Sequence, residues 1–137
     1  MTDVTREILE AFSTWAVVGL SEDPGRDSFR VASVMRDRGY RIVPVNPNLA
    51  SWRGETSYPD LRSIPFPVEV VDLFRRSSQV PPHVDEAIAV GAKAVWMQLG
   101  VRHAEAAARA RAAGLVVVED RCPLIEFRRI AAEDQKR

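Results

Sequence analysis

Cysteine is all but missing from this chain: Cys122 stands alone, so no internal disulfide can close, no thiolate-rich zinc site can be built, and no metal centre is expected. Lysine is nearly as scarce, for seventeen of the nineteen basic residues are arginine and only Lys93 and Lys136 are not. Net charge is absent too, because nineteen acidic residues balance the basic ones; this argues against a nucleic-acid footprint and against adhesion to an anionic membrane. No apolar run approaches the roughly 18 to 20 residues that span a bilayer. The opening segment, Met1-Thr-Asp-Val-Thr-Arg-Glu7, lacks the basic-then-apolar order of a secretory signal, so a cytoplasmic address is expected. No Gly-Lys-Ser or Gly-Lys-Thr occurs, which excludes a Walker phosphate loop.

What is present suits one domain over residues 1–137, with 46% hydrophobic and 28% charged residues, large enough to bury roughly two thirds of its unfolded surface. Within an N-terminal segment 1–13, Ile8, Leu9 and Phe12 share one face and predict a helix from Thr5 to Ser13. Trp15 to Leu20 is an unbroken apolar run of strand length, as expected of a strand buried on both faces. Ser28 can cap a helix to about Arg38, with Val31, Val34 and Met35 as its core face and Gly39 as its stop. Arg41 to Val45 reads as a second strand, ending in Asn46-Pro47. From Asn48 to Pro67 the chain reads as irregular, and long ordered loops often carry function. Val68 to Phe74 is a third strand, Pro82 to Val90 a helix, and Ala94 to Met97 a fourth strand. Arg102 to Ala113 forms an alanine-rich helix, Leu115 to Val118 a fifth strand and Leu124 to Ala132 a last helix, before a frayed tail at 133–137.

Strands alternating with helices imply right-handed crossovers and a three-layer α/β domain of Rossmann-like type, with a mainly parallel five-stranded sheet. The expected strand order is 3-2-1-4-5. Ligands of such sheets bind beyond the carboxyl ends of the strands, where the strand order reverses. That rule gathers Gly19 to Ser28, Asn46-Pro47, Phe74 to Ser77, Gln98 to Val101 and Asp120 to Pro123 on one rim.

The first of these loops is not the dinucleotide fingerprint, since Gly19-Leu-Ser21-Glu-Asp-Pro24 has serine at the second glycine position and proline at the third. Nor does the second strand end in the acid that would bind a ribose 2′-hydroxyl. Both departures count against NAD. The loop does hold Ser21, Arg26 and Ser28 at a helix start, facing Arg75, and these are donors for phosphate oxygens. The plainer alternative makes Ser21 and Ser28 turn and cap residues and Arg26 a solvated side chain. The general excess of arginine decides nothing, because coding bias produces it as readily as phosphate binding does.

At this point the chain resembles the small stand-alone CoA-binding proteins, whose fold matches the N-terminal nucleotide-binding domain of the succinyl-CoA synthetase α subunit. The resemblance runs from about Trp15 to Ile130. It rests on Val18-Gly-Leu-Ser21 with Pro24, Arg26 and Ser28, on Gly39-Tyr-Arg-Ile-Val-Pro-Val-Asn-Pro47, on Val71-Asp-Leu-Phe-Arg75, on Trp96-Met-Gln-Leu-Gly100 and on Asp120-Arg-Cys-Pro123. It implies that Gly19, Ser21, Arg26 and Ser28 surround the phosphates of CoA or an acyl-CoA. By the same resemblance Asn46 and Pro47 border the nucleotide, and Phe74, Arg75 and Gln98 line the other side. Gly25 departs from the pattern, since relatives often carry a bulkier residue there.

The resemblance brings no reaction with it, so the expected role is binding without catalysis, as a sensor or carrier. The alternative is an NAD(P)- or thiol-dependent enzyme on the same fold. Cys122 follows Arg121 near a helix start, conditions that lower a thiol pKa and would suit a redox or acyl-accepting thiol, but a small buried cysteine packing the rim is the commoner case. His83 and His103 read as surface groups, and Trp52 as the tryptophan placed to cover a ligand. A phosphorelay receiver would share the fold and an aspartate near the third strand's end, here Asp72, but it needs an acidic pair at the first strand exit and a lysine at the fifth. A homodimer is compatible with the exposed helices.

Overall fold

The computed structural model describes residues 3–136. Five strands form one parallel sheet: β1 (Thr14–Val18), β2 (Arg41–Val45), β5 (Val70–Leu73), β6 (Ala94–Met97) and β7 (Val116–Val118). Two-residue strands β3 (Ser51–Trp52) and β4 (Glu55–Thr56) make a separate hairpin. The helices are α1 (Val4–Ala11), α2 (Asp27–Asp37), α3 (Val80–Ala89), α4 (Ala104–Ala112) and α5 (Pro123–Gln135), and a 3-10 turn at Ser77–Gln79 leads into α3.

Alternation along the strands sends side chains to two cores. On one face Ala16, Val18, Val43, Leu73 and Val95 meet α3 and α4 through Val84, Ala87, Ala106 and Ala110. On the other, Trp15, Val17, Val70 and Trp96 meet α1, α2 and α5 through Ile8, Val31 and Phe127. Trp15 and Trp96 lie 5.4 Å apart, both fully buried. Each indole N–H is satisfied, Trp15 donating to the Phe12 carbonyl at 3.0 Å and Trp96 to that of Arg121 at 2.9 Å.

The sheet order is β2-β1-β5-β6-β7. Counting only its own strands, this is 2-1-3-4-5, whereas 3-2-1-4-5 was expected; the fold remains doubly wound and Rossmann-like. The cause lies in β2. Pro44 has no N–H to give, which suits an edge strand and not an interior one. The edge is taken by a loop: Tyr58 donates to the Pro44 carbonyl at 3.0 Å, and Asn46 donates to the Tyr58 carbonyl at 2.9 Å. The third strand therefore pairs on the far side of β1, and the order reverses between β1 and β5.

Three further expectations change. The stretch after Asn48 is not wholly irregular, because the β3–β4 hairpin turns at Arg53 (φ 48°) and Gly54 (φ 84°), the two positive values of a tight hairpin turn. It buries Trp52 in the core against Phe29, with ring centroids 6.1 Å apart, so this side chain does not cover a ligand. The tail is not frayed at its start, since α5 continues to Gln135. Ion pairs hold that last turn, Glu133 with Arg129 at 3.0 Å and Asp134 with Arg6 of α1 at 2.8 Å.

Candidate functional site

The exits of β1, β2 and β5 are laced together by their backbones. Gly19 donates to the Val45 carbonyl at 2.8 Å and Phe74 to that of Val18 at 3.0 Å. Gly19 has φ +86°, and a Cβ built there would stand 2.4 Å from the Phe74 carbonyl oxygen. Only glycine allows the loop to leave β1 this close to the β5 exit.

The loop that follows is built from nested turns. The Ser21 hydroxyl accepts from the Asp23 N–H at 3.0 Å, and the Asp23 carboxylate accepts from the Gly25 N–H at 2.9 Å. Glu22 and Asp23 are exposed. Contrary to the expectation from the sequence, Ser28 does not cap α2; it lies one residue inside the helix, buried, and its hydroxyl accepts from the Ser21 N–H at 3.0 Å. The cap position belongs to Arg26, whose side chain makes no capping hydrogen bond. The helix thus begins with backbone N–H groups that no side chain caps, at the positive end of its dipole.

These parts close around a cavity of about 600 Å³. Gly19, Ser21, Arg26 and Ser28 line it from the first loop, Phe74 and Arg75 from the β5 exit, and Gln98 from the β6 exit. Among the described residues Arg26, Arg75 and Arg76 have no carboxylate within ion-pair distance, whereas Arg30 pairs with Asp27 at 3.1 Å. Val31, Leu99, Val101, Cys122 and Ile125 add apolar lining to the same cavity. Arg76 and Leu99 fall within the strand exits expected on the rim, although neither was named as a site residue, whereas Arg30 and Ile125 escaped the sequence reading. Arg30 could have been found one helical turn after Arg26, but Ile125 reaches the cavity only through the packing of α5 on α2.

Asn46 and Pro47 do not line this cavity. The Asn46 amide donates to the Leu20 carbonyl at 3.0 Å and its oxygen accepts from the Asn48 N–H at 2.9 Å, so the side chain is spent tying the β2 exit to the first loop. Asn46→Ala is accordingly expected to cost about 1–2 kcal/mol in a urea melt, the worth of two ordinary hydrogen bonds. Pro47 is exposed.

Deep to the rim, Asp72 of β5 is fully buried and accepts from the Gln98 amide at 2.6 Å. Burial pushes its carboxyl up to about 7, with the Gln98 hydrogen bond opposing. His83 is half-buried and not the solvated group expected; burial, aided by the charge of Arg75, holds its imidazole below the usual value. His103 is the cap of α4, its Nδ1 accepting from the Ala106 N–H at 3.1 Å. Cys122 is buried at the cap position of α5. Among the described residues no helix is long and apolar enough to cross a membrane.

Comparison with known proteins agrees with this geometry. The family described as "CoA binding domain" matches residues 13–128. The chain is 38% identical over 117 residues to the uncharacterised protein YneT of Bacillus subtilis, covering 85% of this chain and 87% of that one. A solved structure, a hypothetical protein from Pyrococcus horikoshii, superposes with a TM-score of 0.89 at 39% identity, over 94% of this chain and 92% of its own. A dinucleotide-forming acetyl-coenzyme A synthetase from Ca. Korarchaeum cryptofilum shares the fold at 24% identity and a TM-score of 0.71, over 82% of this chain and 27% of that much longer one. With a family match over most of its length and the cavity at the reversal of its sheet order, the chain belongs to the CoA-binding domain family.

Proposed function

We propose that this protein holds CoA or an acyl-CoA at the carboxyl-end rim and does no chemistry on it, serving as a sensor or carrier. The observation that carries the reading is the convergence of Arg26, Arg75 and Arg76, without acidic partners among the described residues, on the cavity beside the uncapped start of α2. CoA presents a pyrophosphate and a ribose phosphate, and arginine forks with free helix N–H groups are the donors such groups require. Gly19 serves the site indirectly, because a backbone without Cβ lets the first loop leave β1 against the Phe74 carbonyl and so brings Arg75 to the cavity. Ser21 and Ser28 complete the phosphate end, Phe74 and Gln98 the other wall, while Asn46 and Pro47 support the rim from outside the cavity.

NAD is disfavoured by the β2 exit, which offers Asn46 in place of a carboxylate and spends that side chain on the fold. For a thiol-dependent reaction at Cys122, neither histidine lines the cavity that Cys122 borders. His103 is used as a helix cap, and His83 stands beside Arg75 on the α3 side of the sheet.

A ligand that binds only the folded chain stabilises it by about 2.7 kcal/mol at a hundredfold excess over Kd. Melting scans with CoA, acetyl-CoA, NAD, NADP and ATP are therefore expected to show an upward Tm shift of roughly 3–5 °C per kcal/mol for the two CoA species alone. Arg75→Ala should weaken CoA binding by about ten- to a hundredfold, the loss of a charge-assisted hydrogen bond, and added salt should weaken the wild type more than the variant. Equal shifts with NAD, or none with CoA at millimolar concentration, would overturn the reading.

A further inference from the structure

Two carboxylates are buried among the described residues, and they are treated differently. Glu126 pairs with Arg129 at 3.1 Å and Arg121 at 3.5 Å. Asp72 has no cation. It stands in register between Val17 of β1 and Trp96 of β6, on the sheet face covered by α2 and α5. Its Oδ1 accepts from Gln98 Nε2 at 2.6 Å, and its Oδ2 has no hydrogen-bond partner among the described residues. Gln98 is 4% exposed and lines the cavity. With one N–H of Nε2 committed to Asp72, the acceptor end of the amide, Oε1, has no hydrogen-bond partner among the described residues and is available to a bound molecule.

The two ends of a carboxamide are opposite in kind, one donor and one acceptor, and an ionised carboxylate can only accept. While Asp72 is ionised, Gln98 must turn its NH₂ inward and its oxygen to the cavity. Once Asp72 carries a proton it can donate to the amide oxygen, and the NH₂ is then free to face outward. We propose that Asp72 is a positioning residue that sets the polarity Gln98 presents to the cavity, so that binding a ligand N–H or O–H donor there drives the Asp72 proton into bulk water. For the ligand this rests on the CoA reading, in which the amide N–H groups of the pantetheine arm are donors of the required class.

Burial holds the Asp72 carboxyl near 7, where either protonation state is within reach. The titratable side chains lining the cavity are Arg26, Asp27 and Arg30 at the start of α2, Arg75 and Arg76 after β5, and Cys122 before α5, with the buried Glu126 in the first turn of α5 outside the lining. Asp27 and Glu126 are paired with arginines, and the influences on Asp72 itself are burial and Gln98.

The test is calorimetric titration of the protein with CoA at pH 7 in buffers of different ionisation enthalpy, which counts protons released. Because CoA titrates on its own account, the readout is the difference between wild type and Asp72→Asn. The wild type is expected to release about half a proton more per CoA bound, the fraction Asp72 still holds at that pH; equal counts would overturn the proposal. Gln98→Met, which removes the acceptor but not the volume, should weaken CoA about five- to tenfold. Side-chain amide resonances of Gln98, followed by nitrogen-15 spectroscopy without ligand from pH 5.5 to 8.5, should shift with a midpoint near 7 in the wild type and stay flat in Asp72→Asn. If CoA yields no heat with the wild type, the CoA reading fails while these resonances still decide the Asp72–Gln98 role, and a flat wild-type trace refutes it.

Discussion

Gly19→Ala is expected to lose about 2–5 kcal/mol of stability and to abolish high-affinity CoA binding. The backbone at Gly19 has φ +86°, in the left-handed region, and an L side chain there costs about 1–2 kcal/mol before any contact is considered. The new Cβ would also stand 2.4 Å from the Phe74 carbonyl oxygen, a backbone atom held by the sheet, and relieving such overpacking costs about 1–3 kcal/mol more. The strain cannot stay local. Moving Phe74 moves Arg75, whose Nε lies 3.5 Å from the same Cβ position and whose guanidinium faces the cavity. Gly39 is the control: its φ is +102° but nothing lies within 4 Å of its Cβ position, so alanine there should cost only the backbone strain. Urea unfolding of both variants measures this. A Gly19→Ala midpoint matching that of the Gly39 variant would show that the close approach to β5 has no energetic weight.

The second large effect concerns pH. In the folded chain Asp72 keeps its proton up to about pH 7, whereas a carboxyl of the unfolded chain loses it near pH 4. Between those values the folded state binds a proton that the unfolded state does not, so this residue's contribution to stability declines as pH rises and levels off above about 7. Over the full window the decline is about 4 kcal/mol, and burial leaves no solvent to screen it. Asp72→Asn removes the titration with little change of shape. The stability of the variant relative to wild type should therefore rise by about 4 kcal/mol between pH 4 and pH 8, whatever the sign at the acid end, where the buried amide leaves a polar group unpaired. A difference that stays constant with pH would mean that Asp72 ionises normally in the fold.

The fold class was legible because the parallel strands are buried on both faces and hence read as unbroken apolar runs. Arg41–Val45 has the bounds expected, and Trp15, Ala16 and Val17 are wholly buried. Strand order was misread even though Pro44 carried the clue, since a residue that cannot donate belongs at an edge. The β3–β4 hairpin was missed for want of length: two-residue strands show no periodicity, and Arg53 at positive φ carries no turn signature.

Of the candidate site, the residues that strand exits must place on the rim were readable, Gly19 and Arg75 among them. Asn46 lies outside the cavity lining because its side chain is hydrogen-bonded to Leu20 and Asn48, a cross-loop contact that no spacing reveals. Asp72 stood out from the sequence only as a receiver-like aspartate. Its bond to Gln98 depends on β5 lying beside β6, which is a property of the sheet and not of any one strand.

The central claim is that one CoA sits where the sheet order reverses, held by arginines that have no carboxylate partner among the described residues. Native mass spectrometry of the 15.3 kDa chain mixed with equal amounts of CoA and NAD tests it most directly, because bound mass and stoichiometry are read together. One CoA per chain, no NAD adduct, and loss of the CoA adduct in the Arg26→Ala, Arg75→Ala double variant is the predicted result. An absent CoA adduct, or one that survives in the double variant, would contradict it.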